Sequence, residues 1–158
     1  MLRRPRTYTE TVEKNLQEIG EIPTIPIKTF TDMTPFFRGG RHALIQGITG
    51  SGKTTLLLTL VKMLHDKGSI ILFRDDGGLE FLYLLPTTPM TIFIPKGCRL
   101  KIQGNYRYDI KYFENAIDII NRIYNTRYDF NVVVHDAYCI DPSLSAQFWS
   151  EFFNALIY

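Results

Sequence analysis

A chain of 158 residues with 45% hydrophobic, 13% aromatic and 22% charged side chains has the composition of one globular domain. This composition excludes a largely disordered or collagen-like protein, and a formal net charge of +2 does not by itself indicate a nucleic-acid-binding protein. The longest apolar runs are far shorter than the roughly 20 residues of a membrane-spanning helix. We therefore predict no membrane segment. Cys98 and Cys139 lie far apart in the sequence and show no metal-ligand spacing, which fits a reduced chain, so we predict a cytoplasmic protein.

The first half of the chain predicts an arm followed by a strand, a loop, a helix and a second strand. Residues 1–37 are polar and rich in proline, which predicts an N-terminal arm or edge element before a domain over residues 38–158. Residues 42–46 predict a short strand, and residues 54–67 carry leucines at helical spacing with Gly68 as the C-cap. Residues 69–74 predict a buried strand.

The second half continues the alternation of helices and strands. A short helix is predicted over residues 79–85, strands over 91–94 and 99–103, and an amphipathic helix over 109–124. Residues 130–135 predict another buried strand, and a final helix is predicted to begin at Asp141-Pro142. This order predicts an α/β fold with a mostly parallel sheet that is covered by helices on both faces.

Residues 47–54 read Gly-Ile-Thr-Gly-Ser-Gly-Lys-Thr and match every fixed position of the phosphate-loop pattern G-x4-G-K-[ST]. The glycines allow successive backbone N–H groups to surround a β-phosphate. Lys53 supplies positive charge toward the β- and γ-phosphates, and the Thr54 hydroxyl can bind Mg2+. We therefore predict a site for ATP and Mg2+ whose phosphate-binding residues are Gly47, Thr49, Gly50, Ser51, Gly52, Lys53, Thr54 and Thr55.

An apolar strand that ends in an acid is the second element that a phosphate-loop ATPase requires, because a carboxylate must hold the water shell of Mg2+. Residues 131–136 read Asn-Val-Val-Val-His-Asp, which predicts Asp136 as the Mg2+ carboxylate and, with Lys53, as a catalytic residue. In many ATPases a Glu follows and polarises the attacking water. Ala137 stands at that position, so the usual base is absent, and strand alternation predicts His135 as a packed core residue.

A competing acidic segment follows the strand predicted over residues 69–74. Residues 75–78 satisfy the D-x-x-G pattern of GTPases, but the chain contains no N-K-x-D segment, which selects guanine, so ATP is favoured over GTP. Asp75, Asp76 and Glu80 are expected either at the carboxyl edge of the sheet beside the phosphates or in a solvated turn.

Residues 41–57, which run from Arg-His-Ala-Leu-Ile through the phosphate loop to Leu-Leu, resemble the FtsK/HerA group of DNA-pumping ATPases. The resemblance implies a three-layer P-loop NTPase fold in which a ring of identical subunits hydrolyses ATP to move double-stranded DNA. It implies that residues 50–54 bind phosphate and Mg2+ and that Asp136 is the Mg2+ carboxylate. In this group a sensor strand separates the phosphate-loop strand from the strand that ends at Asp136. Since no such strand is recognised before Tyr158, we expect one of two arrangements. Either the sequence is the N-terminal part of a longer ATPase, and its sheet has an open position here, or those two strands pair directly, as in kinases and GTPases.

Three functions are compatible with these motifs. The favoured one is an ATPase that couples ATP hydrolysis to DNA translocation or packaging. A small-molecule kinase would use the same loop and an Arg-bearing lid drawn from Arg99, Lys101, Arg107 and Lys111. An assembly protein that binds ATP and hydrolyses it poorly is the third, and Ala137 favours it.

Overall fold

A computed structural model describes residues 44–139 and 141–157 of the chain. Its α-helices are α1 (Lys53–Asp66), α2 (Ala116–Ile120) and α3 (Pro142–Ile157). Its strands are β1 (Ile71–Asp75), β2 (Met90–Pro95), β3 (Tyr108–Phe113) and β4 (Phe130–Val134). Short 3-10 helices lie at Glu80–Tyr83, Ile123–Asn125 and Asp136–Tyr138. Within these residues no helix combines the length and the hydropathy that a bilayer crossing needs.

The four strands form one parallel sheet in the order β1-β4-β2-β3. Strand β4 is central: Val132 is in register with Phe73 of β1 on one side and with Ile92 of β2 on the other. Every residue of β4 is buried, as expected for a strand whose two edges and two faces are all covered. The predicted α/β fold with a parallel sheet is therefore confirmed.

Helices cover both faces of the sheet because alternate side chains of each strand point to opposite sides. On one face, Leu58 of α1 packs with Phe73, Ile92 and Val132, and this cluster also includes Phe81 from the 3-10 helix after β1. On the other face, α2 and α3 pack on the sheet through a second cluster that contains Phe93, Phe113, Val133, Ala116, Ile119, Phe148, Trp149 and Phe152. Side chains that follow the strands can therefore contact either α1 on one face or α2 and α3 on the other face.

The ends of α1 and α3 agree with the caps that the sequence predicts. Gly68 adopts φ of 86°, and its N–H donates to the carbonyl of His65 at 2.8 Å, which closes the last turn of α1. At the start of α3 the Asp141 carboxylate accepts hydrogen bonds from the backbone N–H of Ser143 at 2.8 Å and from its hydroxyl at 2.7 Å. Helix α1 therefore begins and ends within one residue of the predicted positions, and α3 begins at the predicted Pro142.

Three predicted elements are wrong over the described residues. Residues 44–46 of the predicted strand 42–46 form no strand, and residues 42 and 43 lie outside the described residues. Residues 99–103 also form no strand. The helix predicted over 109–124 is instead strand β3 followed by the short helix α2, because the apolar residues of 108–113 pair with β2 before helical spacing begins at Ala116. The boundary predicted between residues 37 and 38 lies outside the described residues.

Strand β4 has a hydrogen-bonded neighbour on each side. Its neighbours are β1 and β2, so direct pairing of the phosphate-loop segment with β4, the arrangement of kinases and GTPases, is not found. The four described strands are contiguous, so no open position lies between them. The outer edge of β1, which follows α1 in the chain, is one of the two edges of this sheet.

Candidate nucleotide site

The segment over residues 47–52 curls into a tight loop that ends at the first residue of α1. Gly50 and Gly52 have φ angles of 81° and 83°, the left-handed region in which a side chain is disfavoured. The N–H of Ser51 donates to the carbonyl of Ile48 at 3.2 Å, and a Cβ at Gly47 would lie 2.5 Å from the Ser51 hydroxyl oxygen. The loop therefore closes on itself, and a side chain at its first position would displace the Ser51 hydroxyl.

The lysine of the loop points back over it. The ammonium of Lys53 donates to the carbonyl of Ile48 at 2.8 Å, so the charge lies over the loop instead of extending into solvent. Helix α1 begins at Lys53 after Gly52, which has no side chain to cap it, and the first turn of α1 contains no acidic residue. Because first-turn amides of a helix have no intrahelical acceptor, the loop and helix together present N–H donors and a positive charge on one side.

A cavity of about 850 Å3 lies along α1 from Thr54, which follows the loop by one residue, to Lys62, and we call it the loop cavity. Its lining includes Thr54, Thr55 and Thr59 from α1, and Gly78, Glu80 and Tyr83 from the segment after β1. Thr54 also lines a smaller adjacent cavity of about 280 Å3 with Lys53, Ile45 and Leu57. The Thr54 side chain, proposed from the sequence as the Mg2+ ligand, is therefore exposed on a concave surface that also carries a carboxylate.

The segment after β1 is held in place by Asp75, which is completely buried. Its carboxylate accepts hydrogen bonds from the backbone N–H groups of Gly77 at 3.0 Å, Leu79 at 2.9 Å and Phe81 at 3.5 Å. Leu79 adopts φ of 51° and ψ of 37°, a left-handed conformation that costs a residue with a side chain about 1 kcal/mol. Asp75 is thus an internal cap for this turn, and its oxygens already have protein donors.

Asp76 faces the other way, toward solvent and Arg74. The Arg74 Nε lies 2.5 Å from the Asp76 carboxylate. Burial raises the pKa of the Asp76 carboxyl, the Arg74 charge opposes this rise, and the neighbouring Asp136 carboxylate adds to it. Of the three acidic residues expected at this edge of the sheet, the structure places Glu80 on the loop cavity, whereas Asp75 caps a turn and Asp76 pairs with Arg74.

The Asp136 side chain contacts α3, which covers the face of the sheet opposite α1. Its carboxylate accepts hydrogen bonds from the Ser145 hydroxyl and from the Trp149 indole N–H at 3.0 Å. Arg74 donates to the same carboxylate at 3.3 Å, and the Arg74 guanidinium lies 4.5 Å from the centre of the Trp149 ring. Asp136 lines a cavity of about 650 Å3 with Arg74, Ser145 and Trp149, whereas Thr54 lines the loop cavity.

The Mg2+ role of Asp136 therefore stays a prediction, and it would require the carboxylate to exchange these partners. Strand β4 ends at Val134 and the chain turns into a 3-10 helix at Asp136, so the alternation of the strand does not extend to this side chain. His135 agrees with its prediction as a core residue: it is buried, and its ring stacks on Phe148 at 3.9 Å between centres. Within the described residues no cluster of three or more His, Cys, Asp or Glu side chains forms a metal site.

The structure gathers the predicted loop residues 47–55 at one place, with Lys53 and Thr54 at the start of α1. It does not bring Asp136 into the cavity that Thr54 and Thr55 line. Thr59 and Tyr83 also line the loop cavity and were not among the predicted site residues. The spacing of four residues between Thr55 and Thr59 places them on one side of a helix and is a signal that was present in the sequence.

The contacts of Asp136 predict an acid-dependent loss of stability. Burial alone would raise the pKa of Asp136, but the hydrogen bonds from Ser145, Trp149 and His135 outweigh it and lower the pKa to about 2. A depressed pKa in the folded state stabilises the fold above the unfolded pKa near 4, and this stabilisation is lost as pH falls toward 2. Between pH 5 and pH 2 we expect the wild type to lose about 1 kcal/mol more unfolding free energy than Asp136→Asn, once solvent screening is allowed for.

Urea unfolding at several pH values measures this difference. Asp129→Asn, an exposed position directly before β4 and at the opposite end of that strand from Asp136, is the matched control and should leave the acid-dependent loss in place. Parallel pH profiles for the wild type and Asp136→Asn would contradict the assigned interactions.

No protein-family model, curated protein sequence or solved structure matches this chain. What the structure establishes is an α/β fold with a four-stranded parallel sheet, with residues 47–55 at the start of the first described helix. The resemblance of residues 41–57 to the FtsK/HerA group, and the activity and partners that it implies, stay predictions.

Proposed function

We propose that this chain is a P-loop ATPase that binds Mg2+-ATP through residues 47–55 and couples its hydrolysis to the movement of double-stranded DNA. The observation that carries the proposal is the closed loop ahead of α1, in which Gly50 and Gly52 have positive φ and the Lys53 ammonium lies over the loop. Such a loop offers several N–H donors and one cation to a single anionic group. A triphosphate is the ligand class that uses all of these donors together.

Each loop residue has a separate task in this proposal. The first-turn amides of α1 donate to phosphate oxygens, and Lys53 exchanges its bond to the Ile48 carbonyl for the β- and γ-phosphates. The Thr54 hydroxyl, which is exposed on the loop cavity, is the protein ligand for Mg2+. Bound Mg2+ neutralises charge on the phosphates, and a site built from one hydroxyl fits the preference of this ion for retaining most of its waters.

The strand order and the role of Asp75 disfavour two alternatives. A kinase or GTPase arrangement would pair the phosphate-loop segment directly with the strand that ends in the metal-binding Asp, but β1 and β2 occupy both edges of β4. A GTPase would use the first Asp of the 75–78 segment near the metal, but the Asp75 carboxylate is buried and accepts three backbone hydrogen bonds. An ATPase is the function that these observations favour.

The DNA and the ring of identical subunits belong to the proposal through the resemblance of residues 41–57 to the FtsK/HerA group, and the cytoplasmic location belongs to it through the cysteine pattern. Exposed cations at Lys96, Arg99, Lys101 and Arg107 supply basic side chains on the segment between β2 and β3, which suits contact with DNA phosphates. The assembly protein with weak hydrolysis remains the alternative that Ala137 favours, because the usual base is absent from its usual position.

Lys53→Ala is expected to weaken Mg2+-ATP binding by about 10- to 100-fold, since a charge-assisted contact to the phosphates contributes about 1.5–3 kcal/mol. The melting temperature should change little, because the Lys53 ammonium bonds a carbonyl of an exposed loop and does not enter the core. Calorimetric titration of the chain with Mg2+-ATP measures the effect. Lys101→Ala, which removes the same charge from an exposed position, is the matched control, and equal affinity in the two variants would argue against the loop as the phosphate site.

For the coupling to DNA we expect slow turnover by the chain alone and a rise in rate on double-stranded DNA. Because the contacts are to phosphates, the rise should fall steeply between about 50 and 200 mM salt. A steady-state phosphate-release assay with and without duplex DNA measures both effects. Fast turnover by dilute protein that ignores DNA would instead indicate a soluble phosphohydrolase or a kinase.

A further inference from the structure

The position that usually carries the water-polarising Glu is Ala137, yet a carboxylate lies on the loop cavity from a different segment. Glu80 lines the loop cavity together with Thr54 and Thr55, the first residues of α1 after Lys53. Phe81, the next residue, packs into the same hydrophobic cluster as Leu58 of α1. Glu80 is therefore on the α1 face of the sheet, whereas the Asp136 carboxylate is turned toward α3.

Hydrogen bonds to Asp75 hold the backbone on both sides of Glu80. The residues on either side of it, Leu79 and Phe81, both donate their N–H groups to the buried Asp75 carboxylate. The Phe81 ring is completely buried, and Leu79 is held in a left-handed conformation. A strained residue persists only where its surroundings fix it, and such positions cluster at functional sites. These contacts keep Glu80 on the loop cavity.

The segment that carries Glu80 also touches the segment where the usual Glu is missing. A Cβ placed on Gly77 would lie 3.6 Å from the backbone nitrogen of Ala137 and 3.8 Å from the carbonyl carbon of Asp136. The turn after β1 and the turn after β4 are thus in contact at the carboxyl ends of two paired strands. A carboxylate that is absent from one turn is supplied by its neighbour.

We infer that Glu80 is the general base of ATP hydrolysis in this chain, an assignment that rests on the proposed function. The Glu80 carboxylate takes one proton from a water molecule while the water oxygen forms a bond to the γ-phosphorus. The bond between that phosphorus and the β–γ bridging oxygen breaks, and its electron pair stays on ADP. The products are ADP and inorganic phosphate, and the proton leaves Glu80 for solvent.

The other acidic side chains near this edge of the sheet are engaged elsewhere. Asp75 accepts three backbone hydrogen bonds, Asp76 pairs with Arg74, and Asp136 accepts hydrogen bonds from Ser145 and Trp149. The Glu80 side chain folds over Gly78, where its Cδ would lie 3.1 Å from an added Cβ, so glycine at position 78 leaves room for the carboxylate. Of these four carboxylates, Glu80 is the one that lines the same cavity as Thr54.

Glu80→Gln tests the assignment in the full chain, with duplex DNA present. We expect the turnover number to fall by about 10²- to 10⁴-fold, the usual contribution of a general base. The affinity for Mg2+-ATP and the Mg2+ concentration for half-maximal binding should stay unchanged. Glu151→Gln, an exposed carboxylate on α3 that accepts a hydrogen bond from Gln147, is the matched control and should keep wild-type turnover.

A second substitution keeps the test informative. Ala137 is exposed, so a Glu placed there fits, and the double variant Glu80→Gln with Ala137→Glu should recover part of the lost turnover. Wild-type turnover in Glu80→Gln, or a loss confined to ATP affinity or Mg2+ dependence, would overturn the inference while leaving the ATP site intact. Tight Mg2+-ATP binding without any hydrolysis in the wild type would also overturn it, whereas failure of the wild type to bind Mg2+-ATP would overturn the proposed function itself.

Discussion

The buried carboxylate of Asp75 determines the geometry of the candidate site. It accepts the N–H groups of Gly77, Leu79 and Phe81, so the chain turns sharply after β1 and enters the 3-10 helix that lies on the α1 face of the sheet. Without such an acceptor, the Phe81 N–H, which is buried, would be left without a partner at a cost of about 1–3 kcal/mol. The wall of the loop cavity that carries Gly78 and Glu80 thus depends on one acidic side chain buried at the end of a strand.

On the opposite face of the sheet, Asp136 is the centre of a second group of polar contacts. The Asp136 carboxylate joins β1 through Arg74 and α3 through Ser145 and Trp149, while the adjacent His135 stacks on Phe148. The depressed pKa of Asp136 means that this carboxylate stays charged in the fold, with its lone pairs satisfied by protein donors. Asp75 therefore fixes the turn on the α1 face of the sheet, and Asp136 binds side chains of α3 on the opposite face. Glu80 is the carboxylate that lines the loop cavity on the α1 face.

Sequence reasoning identified the features that depend on local pattern. Residue types at short spacing predicted the glycine loop ahead of α1, the buried strands β1 and β4, and the cap of α3 at Asp141. It missed β3 because residues 108–124 mix a strand and a helix whose apolar residues read as one helical stripe. It predicted the role of Asp136 from an apolar strand that ends in an acid, but only tertiary contacts show that this carboxylate accepts hydrogen bonds from Ser145 and Trp149. Sequence reasoning could not weigh Glu80 against Asp75 and Asp76, because only tertiary contacts separate these acids.

The central claim is that residues 47–55 bind the phosphates of ATP, and the most direct measurement is an amide NMR titration of the chain with Mg2+ and a slowly hydrolysed ATP analogue. The account predicts saturable shifts of the amides of Gly50, Gly52, Lys53 and Thr54, with smaller shifts at Gly78 and Glu80 across the loop cavity. The amides of Ser145 and Trp149, which lie around Asp136 on the other face, should move much less. Saturable shifts centred on Ser145 and Trp149, or no shifts in the loop at millimolar nucleotide, would contradict the account.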